Sequence, residues 1–419
     1  MTALEIERAG PLSGTVPIQG SKNTVLPILA ASLLCPGVTT LENVPKIQDV
    51  DTMLLLMEKI GCRIIRNGCS VRVDASVLND SGLPKEAAAR MRSSVNLLAP
   101  VLVRCGHASI GKPGGCSLGS RPVDLHLYAL EQLGADVSVL KDRIEADAKT
   151  LHGAEISFRI SSVGATQQAL TAAAAANGET VIYHAAKEPE VAALCRFLQQ
   201  MGVPVEGIGT DTLRVTGIRE FRPASVSIGA DRIVAATCMS AVAACGGSAK
   251  LLGVTKPAMA GIVPPFVQMG CRAVFDADGM TISRTGELKP ISYIETEPYP
   301  GFPTDVQSLL LAVLTQADGQ SVVKEKVFEA RFRAAYQLQK MGADIIIKNN
   351  CAIVRQSRLR GCGVCAPDLR GGAALAVAGL CADGRTQITG YGHICRGYED
   401  IAGMLRLLGA KTGLLQTEE

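Results

Sequence analysis

Six times along the 419-residue chain, a helix-like apolar segment runs into a step of Leu, Met or Ile, then Gly, then Ala, Val or Cys. The glycines are Gly61, Gly134, Gly202, Gly270, Gly342 and Gly409, spaced 67 to 73 residues apart. This spacing is longer than the roughly 20–50 residues of ordinary solenoid repeats, so each unit is a small assembly of several elements. A first Ala/Leu-rich helix over Lys22–Leu34 groups Leu26, Leu29, Ala30 and Leu33 on one face. A short strand over Thr39–Leu41 follows. A second helix then carries Val50, Met53, Leu54 and Met57 at helical spacing, a stripe that Tyr398, Ile401, Ala402 and Leu405 repeat near the end. Strands such as Ser70–Val73 and Ala352–Val354 close the units, and the recurring glycine suits a helix C-terminus. The pattern predicts six βαβαββ units, three to a domain. The first helices are rich in small residues (Thr171 is followed by five alanines), which favours helices inside and sheets outside. Length alone divides the chain near residue 225, where Phe221-Arg-Pro-Ala-Ser reads as a turn.

The bulk properties narrow the functional classes. A net charge of only +3 gives no general attraction to nucleic acid or an acidic membrane, so anion binding must come from locally placed Arg and Lys. Apolar runs such as Ile233–Cys245 are too short to span a bilayer, and MTALEIERAG lacks the features of a secretory signal, so a cytoplasmic protein is expected. The 14 cysteines lie mostly in Ala/Leu/Val-rich stretches and read as reduced thiols. The lone CxxC, Cys362–Cys365, has no second pair to complete a metal site.

In phase with the repeats, the starts of the first helices carry Lys22-Asn23, Arg92, Ser162, Asp231-Arg232, Thr304-Asp305 and Asp368-Leu-Arg370. The starts of second helices carry Asp49, Arg121, Arg331 and Arg396. Asp and Ser are ordinary N-caps, and that role alone accounts for about half of these positions. Lys and Arg oppose the helix dipole there, so Lys22, Arg92, Arg121, Arg232, Arg331, Arg370 and Arg396 point either to an anionic ligand or to solvated helix ends. The Gly111–His126 segment matches neither a phosphate loop nor a dinucleotide fingerprint. It is either a mobile loop presenting Cys116, its thiolate favoured by Lys112 and Arg121, or a surface hairpin with an incidental cysteine.

At these residues the chain resembles the UDP-N-acetylglucosamine 1-carboxyvinyltransferase family, essentially end to end. The resemblance runs through Gly20-Ser-Lys-Asn23, Gly114-Gly-Cys-Ser-Leu-Gly-Ser-Arg-Pro-Val-Asp-Leu-His126, Ser162-Val-Gly-Ala-Thr166, Gly301-Phe-Pro-Thr-Asp305, Asp368-Leu-Arg370 and Arg396-Gly-Tyr398. It implies two inside-out α/β barrel-like domains of three βαβαββ repeats each, with the active site in the cleft between them. It also implies that the N-terminal strand joins the C-terminal domain. The halfway split is therefore revised to residues 22–229, carrying the Cys116 loop, and residues 1–21 plus 230–419, carrying Asp305, Arg331, Arg370 and Arg396.

The implied reaction transfers the enolpyruvyl group of phosphoenolpyruvate to the 3-hydroxyl of UDP-N-acetylglucosamine and releases phosphate. It is the first committed step of peptidoglycan synthesis, and so belongs to cell-wall biogenesis, cell shape, cell cycle and cell division. By the same resemblance Asp305 is the base, Cys116 the thiol that acts in proton transfer, and Lys22 the third catalytic group. Phosphoenolpyruvate is expected on Lys22, Asn23, Arg92, Arg121, Arg331, Arg370 and Arg396. The sugar nucleotide is expected on Asn23, Arg92, Arg121, Pro122, Val123, Asp124, Leu125, Ser162, Val163, Gly164, Asp305 and Val327. No metal or organic cofactor is implied. His126 is expected to reach the site, and Glu329 to orient Arg331. Cys395 stands where the family usually has Asp, and Asn96 where many members have Trp. The rivals are a shikimate 3-phosphate enolpyruvyl transferase, which needs no such cysteine loop, and a catalytically silent sugar-nucleotide-binding paralogue.

Overall fold

A computed structural model describes residues 2–114 and 122–416. Among them are six four-stranded sheets of one design. In each, an opening strand runs parallel to a middle strand, which pairs antiparallel with a third strand that pairs antiparallel with the edge strand; in five of the six the last two form a hairpin. In the first repeat the helix Lys22–Ser32 leads to strand Val38–Glu42, helix Gln48–Lys59, and the hairpin Arg63–Asn67 and Ser70–Asp74. Val50, Met53, Leu54 and Met57 are all buried, so the predicted stripe faces the core. The six repeat glycines follow the second helices with φ between +87° and +109°, a backbone that a residue with a Cβ adopts only under strain.

The chain divides into two compact units, one drawing on residues 20–229 and the other on residues 1–19 and 230–419. In the first unit, Ser225–Ser227 returns to run parallel to Thr40–Glu42, supplying the opening strand of the first repeat from the far end of the segment. In the second, the two N-terminal strands serve two different sheets. Thr2–Glu7 inserts antiparallel between Arg385–Thr389 and Thr412–Gln416, and Leu12–Pro17 runs parallel to Gly247–Leu252.

The first helices form the interior. Helix Arg232–Cys245 is buried from Ile233 to Ala244, Thr304–Leu314 from Val306 to Leu314, and Leu369–Cys381 from Arg370 to Leu380. These three pack on one another, and in the first unit Leu98–Cys105 packs on Val163–Ala173 in the same way. Hairpin strands lie outside, with Ile65, Val274 and Ile346 exposed. No helix among the described residues is long and apolar enough to cross a membrane.

Candidate active site

In the unit of residues 1–19 and 230–419, two buried arginines converge on one carboxylate. Asp305 lies in the first turn of Thr304–Leu314. Arg331 Nη2 donates to Asp305 Oδ1 at 2.7 Å, and Arg370 Nη2 donates to Oδ2 at 2.8 Å. The arginine side chains are 2% and 5% exposed, the Asp305 side chain 28%. Arg331 Nε also donates to the Thr304 carbonyl at 3.0 Å, and its guanidinium lies 5.8 Å from the Phe328 ring centre. Arg370 sits in the first turn of Leu369–Cys381, whose N-cap Asp368 accepts from the Arg370 and Gly371 amides. Burial works against the Arg370 charge, but Asp305, Tyr398 and Asp231 outweigh it and hold the guanidinium protonated above its usual range. The Tyr398 hydroxyl hydrogen-bonds both Thr237 Oγ1, at 2.7 Å, and Arg370.

The expected partner of Arg331 is corrected here: Asp305 orients it, and Glu329 is exposed. Arg396 is also relocated. It caps the C-terminus of the short helix Tyr391–Cys395 rather than opening the next helix, so the dipole there accords with its charge. Cys395, half-buried in the turn before it, shares a hydrogen bond with Tyr391, and burial pushes its thiol up. Val327 lies in the loop leading to Arg331 and is exposed.

In the unit of residues 20–229, Lys22 Nζ pairs with Asp49 Oδ2 at 3.2 Å, joining the starts of the first and second helices. Asn23 is half-buried beside it in the first turn. Arg92 Nη2 donates to the Pro122 carbonyl at 2.7 Å, which ties the Arg92 turn to the segment Pro122–Leu125. Val123 precedes helix Asp124–Gln132, Asp124 pairs with Arg159, and Leu125 packs on the core. Ser162 Oγ accepts from Ala165 N and caps the helix begun by Val163. Gly164 packs closely on His126: a Cβ there would lie 2.5 Å from His126 Nε2, and the ring would have to shift. Three separate motifs, at residues 92, 122–126 and 162–164, are thus brought together. Cys116 and Arg121 lie outside the described residues.

Several contributing residues escaped the sequence reading. Asp49 was legible as a helix start but not as the partner of Lys22. Tyr398 passed for a core position because its ring is buried and only its hydroxyl is used. Glu325 was overlooked, although the inward alternation of Ser321 and Val323 along Gln320–Lys324 continues to it.

The model of the EPSP synthase (3-phosphoshikimate 1-carboxyvinyltransferase) family matches residues 6–405. Among curated proteins, the UDP-N-acetylglucosamine 1-carboxyvinyltransferase 1 of Caldanaerobacter subterraneus subsp. tengcongensis is 41% identical over 413 residues, covering 98% of this chain and 99% of its own length. The UDP-N-acetylglucosamine 1-carboxyvinyltransferase of Finegoldia magna is 42% identical over 424 residues, covering all of both chains. The chain belongs to the UDP-N-acetylglucosamine 1-carboxyvinyltransferase family. Its fold is that of the enolpyruvyl transferase NikO from Streptomyces tendae, with a TM-score of 0.90 at 24% identity over 100% of this chain and 99% of that one. The EPSP synthase from Acinetobacter baumannii shares it more distantly, with a TM-score of 0.77 at 17% identity over 99% and 100%. The inside-out arrangement expected of the family is therefore the observed one.

Proposed function

We propose that this protein transfers the enolpyruvyl group of phosphoenolpyruvate to the 3-hydroxyl of UDP-N-acetylglucosamine. The observation that carries this reading is the pair of buried guanidinium groups on Asp305, within a chain about 40% identical over its full length to proteins named for that reaction. Arg331 and Arg370 each have a fixed planar fork of donors, suited to a carboxylate or phosphate.

The sugar 3-oxygen bonds to C2 of phosphoenolpyruvate and yields its proton to Asp305, while a proton reaches C3. The C2–O bond to phosphate then breaks, C3 loses a proton, and the enol ether and inorganic phosphate leave. Asp305 holds its two oxygens toward two cations. An anionic substrate competing for Arg331 and Arg370 frees that carboxylate to accept a proton, which couples substrate binding to the base. Lys22, Asn23, Arg92, Arg121 and Arg396 complete the anion-binding set, and preorganised charge of this kind stabilises the phosphate-bearing intermediate. Pro122–Leu125, Ser162–Gly164 and Val327 hold the nucleotide, and Cys116 serves in proton transfer. The protein works in the cytoplasm.

The test is phosphate release from phosphoenolpyruvate with UDP-N-acetylglucosamine, with shikimate 3-phosphate, or with neither. Release that needs the sugar nucleotide, and is lost in Cys116→Ala, is expected. Release with shikimate 3-phosphate alone would assign the sister reaction. Nucleotide binding by calorimetry without release would assign a silent binder.

A further inference from the structure

Glu325 is 2% exposed, yet none of the chemistry above uses it. Its carboxylate accepts four hydrogen bonds, all from neutral donors. Oε1 accepts from Thr296 Oγ1 at 2.9 Å, Val327 N at 2.8 Å and Phe328 N at 3.1 Å, and Oε2 accepts from Thr304 Oγ1 at 3.0 Å. The direction at Thr296 is settled, because its oxygen already accepts from Lys326 N at 2.9 Å and its own proton must go to Glu325. Three segments therefore meet at one side chain: the end of the edge strand at Thr296, the loop 326–328, and the first residue of the helix that carries Asp305.

The same network continues into the arginine–aspartate cluster. Thr304, held by Glu325 through its hydroxyl, accepts from Arg331 Nε through its carbonyl, and Arg331 in turn grips Asp305. Phe328, fixed by its amide to Glu325, lies against the Arg331 guanidinium. Desolvating a carboxylate for neutral donors alone is costly, and a merely structural joint would be made more cheaply by an apolar or neutral polar side chain. We infer that Glu325 is a positioning residue, which holds Thr304 and the loop 327–331 so that Asp305 and Arg331 keep one mutual geometry during turnover. This inference rests on the proposed enolpyruvyl transfer.

Glu325→Gln preserves the shape and the acceptor for both amides, but presents an NH2 group to the Thr304 hydroxyl, which must turn round. Thr304→Val removes the same bond from the other side. Each variant is expected to lower kcat roughly ten- to a hundred-fold, as small misplacements of catalytic groups do. The fall in kcat should exceed any rise in KM for either substrate, and melting should change little. The double variant should be no slower than the worse single one, because both changes act on one link. Unchanged kcat in Glu325→Gln, a raised KM with unchanged kcat, or multiplicative losses in the double variant would each overturn the assignment. A second readout does not depend on the reaction: amide exchange over residues 304–310 and 326–332 should quicken in Glu325→Gln while the other five repeats stay as in wild type. If the wild-type protein releases no phosphate, the functional reading fails. The exchange pattern then decides the positioning role separately, and unaltered exchange in those two segments refutes it.

Discussion

At the residue scale, the decisive feature is that Asp305 is shared by two arginines that water barely reaches. Removing one partner of such a buried set strands the remaining charges, typically at about 3–5 kcal/mol, so Asp305→Asn, which keeps an acceptor, is the informative change. It should cut turnover by about a hundred-fold or more while nucleotide affinity, read by calorimetry, moves only a few-fold. A larger loss of affinity than of turnover would remove Asp305 from the role of base. Tyr398 gives a prediction on pH. Burial pushes its hydroxyl up to about 12, against the opposing pull of Arg370 and Thr237, whereas the unfolded chain ionises near the ordinary value of about 10. A raised folded value means that this contribution to stability is complete below about pH 10 and is lost as pH rises through 12. Thermal melts over that window should fall more steeply for wild type than for Tyr398→Phe, which at neutral pH should already be about 1–2 kcal/mol less stable.

At the scale of elements, the second helices end alike because a glycine with positive φ closes each one. The cost of replacing it depends on what surrounds it. At Gly202, with φ +100°, a Cβ would find its nearest neighbour at 3.6 Å, so Gly202→Ala meets backbone strain alone and should cost about 1–2 kcal/mol. At Gly134, with φ +93°, the same Cβ would fall 2.1 Å from the His152 ring, so Gly134→Ala should cost clearly more. Denaturant titration of both variants checks the order, and equal losses would mean that the ring simply moves aside. The helix stripes and these stops were legible in the sequence because they are local and periodic. Arg396 was misplaced because a five-residue helix, Tyr391–Cys395, leaves no periodicity to read.

At the scale of the whole molecule, the N-terminal strand pair Thr2–Glu7 and Leu12–Pro17, one strand in each of two sheets, is a structural part of the unit formed with residues 230–419. Leu4, Ile6, Leu12 and Val16 are buried to within 2% of completely. At about 1.5–3 kcal/mol each they contribute on the order of 6–12 kcal/mol, comparable to the whole stability of a typical domain. Without Thr2–Glu7, the strand Thr412–Gln416 also loses the neighbour it pairs with. A chain beginning at Gly20 should therefore leave residues 230–419 open to limited proteolysis while residues 20–229 stay protected. Uniform protection would show that the two N-terminal strands are dispensable.

The sequence by itself determined the repeat number, the inward helices, the helix stops and the cations Lys22, Arg232 and Arg370 at helix starts, since each is written in spacing and residue type within some 70 positions. Only the tertiary structure decided which strand completes which sheet, because Ser225–Ser227 and Thr2–Glu7 pair with segments at the other end of their units through backbone groups that carry no residue code. It alone also decided the partners: Asp49 for Lys22, Asp305 for both arginines, and Glu325 for Thr304. A charge buried in the sequence looks the same as one in solvent. What distinguishes them is the desolvation that packing imposes, and that is settled only when distant segments meet.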